Sequence, residues 1–355
     1  MTPAVTPAIS RAETPTLIRA FQGERTQQRP VWFMRQAGRS LPEYRAIREG
    51  TTMLQACVTP ELAAEITVQP VRRHQVDAAI FYSDIMVPAK LAGIDVDIVP
   101  GRGPVLATPI RDSRAIANLP ELTQDALQPI ADGVSASVEL LGDTPLIGFA
   151  GAPFTVASYL VEGAPSRTFP HTRALIAHNE AAWHTLATWV AEISLHFLQT
   201  QVNAGAQAVQ LFDSWVGALD VTNYQKSAAP YSSHILRDAT LAHIPRVHFG
   251  TNTGHILPQL HQAGASVIGV DAETALTTAN TVLGGAVPLQ GNINPALLSG
   301  SWEALEQHTR EVLAAGQSAP GHVVNLGHGV PATTDPDVLT RLVALIHSIS
   351  DPLGS

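Results

Sequence analysis

Five arginines (Arg29, Arg35, Arg39, Arg45 and Arg48) lie between residues 29 and 48 with only Glu43 opposing them, in a chain whose net charge is -9. Two of them end the run Pro30-Val31-Trp32-Phe33-Met34-Arg35-Gln36-Ala37-Gly38-Arg39, where an apolar, strand-like stretch passes directly into a pair of guanidinium groups. A guanidinium withdrawn from water without a partner is costly, so this segment should meet an anion. Arginine forks grip carboxylates and phosphates two bonds at a time, and Gly38 lets a ligand approach the backbone. Ser40-Leu41-Pro42 predicts a helix start, which puts Arg45 and Arg48 three apart on one helical face. Salt bridges to the chain's own acids are the competing use of the cluster. Only Lys90 and Lys226 are lysines, so the clustering, rather than the choice of arginine, carries the information.

Other chemistry-bearing residues stand after apolar runs. Asp84 follows Phe81-Tyr82-Ser83, and a carboxylate there either pairs with a cation or accepts N–H bonds that keep it ionised. His328 sits between Gly327 and Gly329, open to a ligand. Tyr159, in GFAGAPFTVASYLVEG, falls in the first turns of a helix after a strand, where its phenol can bind a ligand or a local acceptor. No GxxxxGK[ST] phosphate loop, HExxH zinc pair or GxSxG elbow occurs. The lone Cys57, expected far from any strand end, allows neither an internal disulfide nor a Cys-rich zinc site. These residues point to a small polyanionic ligand and to carboxylate stabilisation of positive charge. They call for no cofactor and no metal.

The elements that must position them are short runs rich in β-branched and aromatic residues, at 31–34, 77–82, 145–149, 208–212, 246–249, 266–270, 287–290 and 323–326. Their near-continuous apolarity predicts parallel strands buried on both faces. Ala/Leu-periodic stretches lie between them, such as EAAWHTLATWVAEISLHFLQTQVNAG with its glycine stop, and ILPQLHQAGA. Eight strands alternating with helices predict an α/β fold, a (β/α)8 barrel of the TIM type. A doubly wound sheet is the alternative, and residues 93–110 read as an inserted hairpin. The run ends carry Arg35 to Arg39, Ser83-Asp84, Gly151-Ala152-Pro153, Asp213-Ser214, Gly250-Thr251-Asn252, Asp271, Gly291-Asn292 and Gly327-His328-Gly329. These are the C-terminal strand ends, where barrel active sites form. Residues 1–14 read as a flexible tail with no secretory pattern, and no apolar run is long enough to span a membrane. The acidic balance argues against nucleic acid as a partner, and the expected location is cytoplasmic.

The segments PVWFMRQAGRSLPEYR and GFAGAPFTVASYLVEG resemble the two signature segments of the uroporphyrinogen decarboxylase family. FYSDI, LFDSWVGAL, LQGNINPALL and NLGHGVPATTDP follow in the family's order, so the resemblance covers roughly residues 15 to 350. It implies a distorted single-domain (β/α)8 barrel over residues 15–355, working as a cytoplasmic homodimer without metal or cofactor, that removes CO2 from four acetate side chains of uroporphyrinogen III, giving coproporphyrinogen III. Carried over by motif, the substrate-contacting residues are Arg35, Gln36, Ala37, Gly38, Arg39, Asp84, Tyr159, Ser214 and His328, with Arg48 and Phe212 as further pocket members. Among these, Asp84, Arg35, Arg39, Tyr159 and His328 are the expected catalytic set. Two departures, Ala272 where the family more often has Trp and Asn294 where it usually has Asp, bear on loop packing. Corrinoid-linked methyltransferases, which resemble the family distantly, and a non-catalytic tetrapyrrole-binding module are the rival readings.

Overall fold

The computed structural model describes residues 14–350. Seven parallel strands form one curled sheet: β1 Ala79–Ile80, β4 Leu146–Gly151, β5 Ala208–Asp213, β6 Arg246–Gly250, β7 Val267–Gly269, β8 Leu289–Gln290 and β9 His322–Val323, neighbours in that order. Between β1 and β4 the chain forms a separate antiparallel hairpin, β2 Val96–Val99 with β3 Gly103–Leu106, inside the predicted 93–110 insertion. Strand β4 is buried along its whole length, as an apolar run covered on both faces must be. Helices cover the outside. That of Glu180–Asn203 begins at Asn179, whose side chain accepts from the Ala182 N–H (3.2 Å), and it stops before Gly205 (φ +117).

The predicted strand at 31–34 is instead a single parallel bridge from Val31 to Val324. Its backbone still bonds to both sides of the sheet. Trp32 N donates to Val324 O (3.2 Å), Val324 N to Pro30 O (2.8 Å) and Asp77 N to Val31 O (2.8 Å). The predicted strands at 77–82 and 287–290 also shorten to two residues each, and that at 323–326 gives way to His322–Val323. Side-chain acceptors explain where pairing stops. Phe33 N donates to Gln36 Oε1 (2.9 Å), Met34 N to Asn325 Oδ1 (3.0 Å) and Tyr82 N to Thr67 Oγ1 (2.9 Å). Each donor is satisfied without a neighbouring strand. Inside the curl, Trp32 Nε1 donates to Gln290 Oε1 (3.1 Å) and Gln290 Nε2 to Gln210 Oε1 (2.9 Å), a buried amide chain linking the 30–34 segment to β8 and β5. Of the expected tail, residues 1–13 lie outside the described residues.

Candidate active site

The arginine loop is fixed from two sides before its charges reach the surface. Arg35 has φ +62, a left-handed conformation that a non-glycine residue adopts only when its surroundings hold it there. Asn325 holds the Met34 N–H in front of it. Behind it Gln36, fully buried, accepts from Phe33 N and donates to Ala78 O (3.0 Å), tying the loop to the start of β1. The Gln36 amide is thus occupied by protein. Ala37 and Gly38 are half-buried, and Arg35 and Arg39 are exposed.

The Arg35 side chain lies across Gly329, where an added Cβ would stand 2.5 Å from Arg35 Cδ. His328, just before Gly329, keeps part of its surface in water while its ring is enclosed. Its imidazole is pushed down by burial of its ring and then by the Arg35 charge, with the Gly329 backbone and Asp271 acting in the opposite sense. Asp84 accepts from Met86 N (2.9 Å) just beyond β1. Part of its surface meets water, yet the carboxyl is deeply enclosed, and this desolvation pushes its pKa up. The Met86 N–H and the Arg35 charge oppose that shift. Both kinds of partner expected from the sequence, an N–H donor and a cation, are present, but in the free protein desolvation is the larger effect. Tyr159, half-buried in the helix Pro153–Glu162, is pushed up to about 12, first by burial and then by the charge of Asp84, against Arg35. Arg35, Asp84, Tyr159 and His328 come from four separate parts of the chain and share one electrostatic neighbourhood.

Aromatic rings line the adjacent strand ends. Phe212 meets Phe149 edge to face (5.4 Å, 90°) and Phe249 likewise (6.1 Å, 77°). Ser214 is half-buried, and its carbonyl accepts from Thr251 Oγ1 (2.7 Å). Trp215, which motif reading passed over, stacks on Tyr159 at 3.8 Å and 30°. At the departure Ala272, a Cβ on Gly327 would come within 2.2 Å of Ala272 N, so these two backbones pack in direct contact. Asn294 caps the short turn that follows it by accepting from Ala296 N (2.9 Å).

The five arginines do not act as one group. Arg29 is buried and donates to Leu313 O (2.7 Å) and His322 Nδ1 (2.7 Å). Arg45 and Arg48 do not present a common anion-binding face. The helix Pro42–Ile47 ends before Arg48, so the two side chains diverge. Arg45 folds back onto Arg39 O (2.7 Å) and Ser40 O (3.2 Å), whereas half-buried Arg48 reaches Tyr82 Oη (3.1 Å) and Thr52 O (2.8 Å). Glu43, the acid of this segment, pairs with Arg73 (2.6 Å). Among the described residues, the Arg35 and Arg39 guanidinium groups make no hydrogen bond or ion pair.

Cys57 corrects another expectation. It is not remote: the buried thiol lies beside Ser83 and Asp84, close enough to feel the Asp84 and Arg48 charges. Burial and then Asp84 push its pKa far up, so it carries no thiolate at neutral pH. Among the described residues no three His, Cys, Asp or Glu side chains gather as a metal site, and no helix is long and apolar enough to cross a membrane. A cavity of about 500 Å³ lies on the helical exterior, lined by Trp183, His184, Lys226 and Tyr231 among others. It contains none of the candidate site residues.

Comparison with known proteins identifies the group. Residues 12–349 match the family model described as uroporphyrinogen decarboxylase (URO-D). A protein of Arthrobacter sp. named uroporphyrinogen decarboxylase is 57% identical over 339 residues, covering 96% of this chain and 98% of its own. One of Saccharopolyspora erythraea with the same name is 50% identical, covering 98% of each chain. Among solved structures, a methyltransferase from Methanosarcina mazei superposes with a TM-score of 0.78 at 19% identity, covering 94% of this chain and 97% of its own, and speaks to the fold alone.

Proposed function

This chain belongs to the uroporphyrinogen decarboxylase family, and on that premise we propose that it removes CO2 from the four acetate side chains of uroporphyrinogen III to give coproporphyrinogen III. The observation that carries this reading is that, among the described residues, the Arg35 and Arg39 guanidinium groups make no hydrogen bond or ion pair, while the Arg35 charge reaches the enclosed Asp84 carboxyl. The substrate has eight carboxylates for the arginines and four pyrrole N–H groups that can converge on one acceptor. In the free protein, desolvation disfavours the Asp84 anion. Four N–H donors arriving together would favour it, because hydrogen bonds to the charged form stabilise that form.

The chemistry follows from that charge. Protonating a pyrrole carbon makes a delocalised cation, and the electron pair of the C–CO2 bond flows into it as CO2 leaves. A second proton then completes the methyl group while the first is returned, so each step exchanges CO2 for one proton. A fixed anion beneath the ring lowers the energy of the cation, and such preorganised electrostatics are often the largest catalytic effect. The substrate is its own electron sink, so this route asks for neither metal nor cofactor. Arg35, Arg39 and Arg48 would hold carboxylates, His328, Ser214, Ala37 and Gly38 would line the mouth, and Tyr159 and Phe212 would wall the macrocycle.

The same reading takes the 31–34 segment as the eighth strand, which would close a (β/α)8 barrel over a single domain spanning 15–355, of which 351–355 lie outside the described residues. It also takes the protein to act as a cytoplasmic homodimer. No observation favours the methyltransferase alternative, since the Cys57 thiol is buried and held protonated. The test is incubation of the purified protein with uroporphyrinogen under reducing conditions, with products resolved by carboxylate number. Stepwise appearance of seven-, six-, five- and four-carboxylate products with matching CO2 is expected, and unchanged substrate would refute the assignment.

A further inference from the structure

The stacked pair Trp215–Tyr159 forms one wall beside Asp84, and its position is set by a residue that does not face the mouth. Asp213, the last residue of β5, is fully buried, as are Thr155 and His248. Thr155 Oγ1 donates to Asp213 Oδ1 (2.7 Å) and in turn accepts from Trp215 N (3.2 Å). His248 Nε2 stands 3.4 Å from Asp213 Oδ2. The Thr155 hydroxyl has one proton to give. With Asp213 taking it, an oxygen lone pair is left aimed at the Trp215 amide. Thr155 lies one turn before Tyr159 on the helix Pro153–Glu162, so the same hydroxyl fixes that helix and the Trp215 backbone together. A buried carboxylate without Arg or Lys is expensive to keep, and hydrogen-bonding duties of this kind give it a reason to be there.

We propose that Asp213 is a positioning residue which, by orienting the Thr155 hydroxyl, locks Trp215 against Tyr159 and so sets the width of the substrate pocket. The proposal rests on the decarboxylase reading. It concerns ground-state and transition-state contacts with the ring wall alike, because the charge at Asp84 is untouched. Loss of uniform binding raises KM and spares kcat. Loss of folded protein does the reverse: it lowers the apparent kcat and leaves KM alone.

The experiment compares Asp213→Ala, Asp213→Asn, Thr155→Val and Thr155→Ser in the full chain. Uroporphyrinogen turnover is measured beside hydrogen exchange of the amides at 214–217. Asp213→Ala and Thr155→Val are expected to raise KM about tenfold, since small misplacements of contacting groups cost on this scale or more, with kcat within about threefold. Both should speed exchange at 214–217. The Asn and Ser variants keep the acceptor or the hydroxyl and should restore both readouts. If Asp213→Ala does not fold, Thr155→Val, which is close in shape, carries the test. An unchanged KM in Thr155→Val, with or without reduced kcat, overturns the proposal. Unaltered exchange at 214–217 overturns it as well. A wild-type protein that fails to decarboxylate would count against the proposed function, while the exchange data would still decide the positioning claim.

Discussion

Arg29 and Arg35 stand on one short segment and meet opposite fates. Arg29 is buried, and its donors are taken by the Leu313 carbonyl and His322 Nδ1. The His322 ring then turns its Nε2 to Gly291 O (2.6 Å), so the imidazole is the neutral Nε2–H form. Arg35, beyond the end of the apolar run, is exposed and held in a left-handed turn with no protein acceptor among the described residues. A buried cation has to be satisfied within the fold. On the proposed function, one at the mouth is held ready by rigid neighbours and takes its partner from the substrate. The lesson is that the physical environment of each arginine, rather than the clustering, separates the structural from the functional.

The contrast can be broken at either end. The largest effect is expected at Arg29: Arg29→Met orphans a buried carbonyl and the His322 nitrogen and should cost about 3 kcal/mol of stability, read by denaturant unfolding, with KM of the remaining folded enzyme unchanged. Arg35→Ala or Arg39→Ala should do the converse. Each charge-assisted bond lost from the substrate is worth about 1.5–3 kcal/mol, so KM should rise roughly tenfold to a hundredfold while the melting temperature holds. A melting loss in Arg35→Ala with unaltered KM would reverse the two roles.

Acidification sharpens the same comparison. Burial, then Arg29, depress His322 to about 3, and burial depresses His74 to about 4, both from an ordinary 6.5. The unfolded chain therefore takes up these protons first. The stability tied to the neutral rings is present above pH 6.5 and drains away as pH falls toward 4 and 3, by up to about 1.4 kcal/mol per pH unit for each histidine. Replacing His322 with Gln should flatten this slope, and an unchanged slope would mean the ring is not held neutral. The smallest effect is expected from Gly329→Ala, which keeps every charge but drives a methyl group into the Arg35 stem. KM should rise about tenfold or less, about 1.4 kcal/mol, and a variant that binds like wild type would show that Arg35 needs no such seat.

Much of this was readable in the residues, and what was not has physical causes. The eight apolar runs each overlap a parallel strand or, at 31–34, a bridge, because two-sided burial leaves a direct compositional trace. The strand ends were less legible. They depend on Asn325, Gln36 and Thr67 taking over backbone donors from distant or neighbouring turns. Gln210 and Gln290 fall within runs expected to be buried, but the runs do not announce that the two amides bond to each other in the core. The Trp215–Tyr159 stack and the approach of Cys57 to Asp84 join residues far apart in the chain, which no local pattern encodes. The expected shared face of Arg45 and Arg48 failed because the helix ends between them.

The central claim is that the enclosed Asp84 carboxylate stabilises a cation on the bound macrocycle. Single-turnover decarboxylation of Asp84→Asn at saturating uroporphyrinogen tests it most directly. The amide keeps the shape and an oxygen that can accept pyrrole N–H bonds, so binding should fall less than turnover. Losing the charge should slow the chemical step by about 10²–10³ or more. Near-normal turnover in the saturated variant would mean that Asp84 only seats the substrate, and the electrostatic account would be wrong.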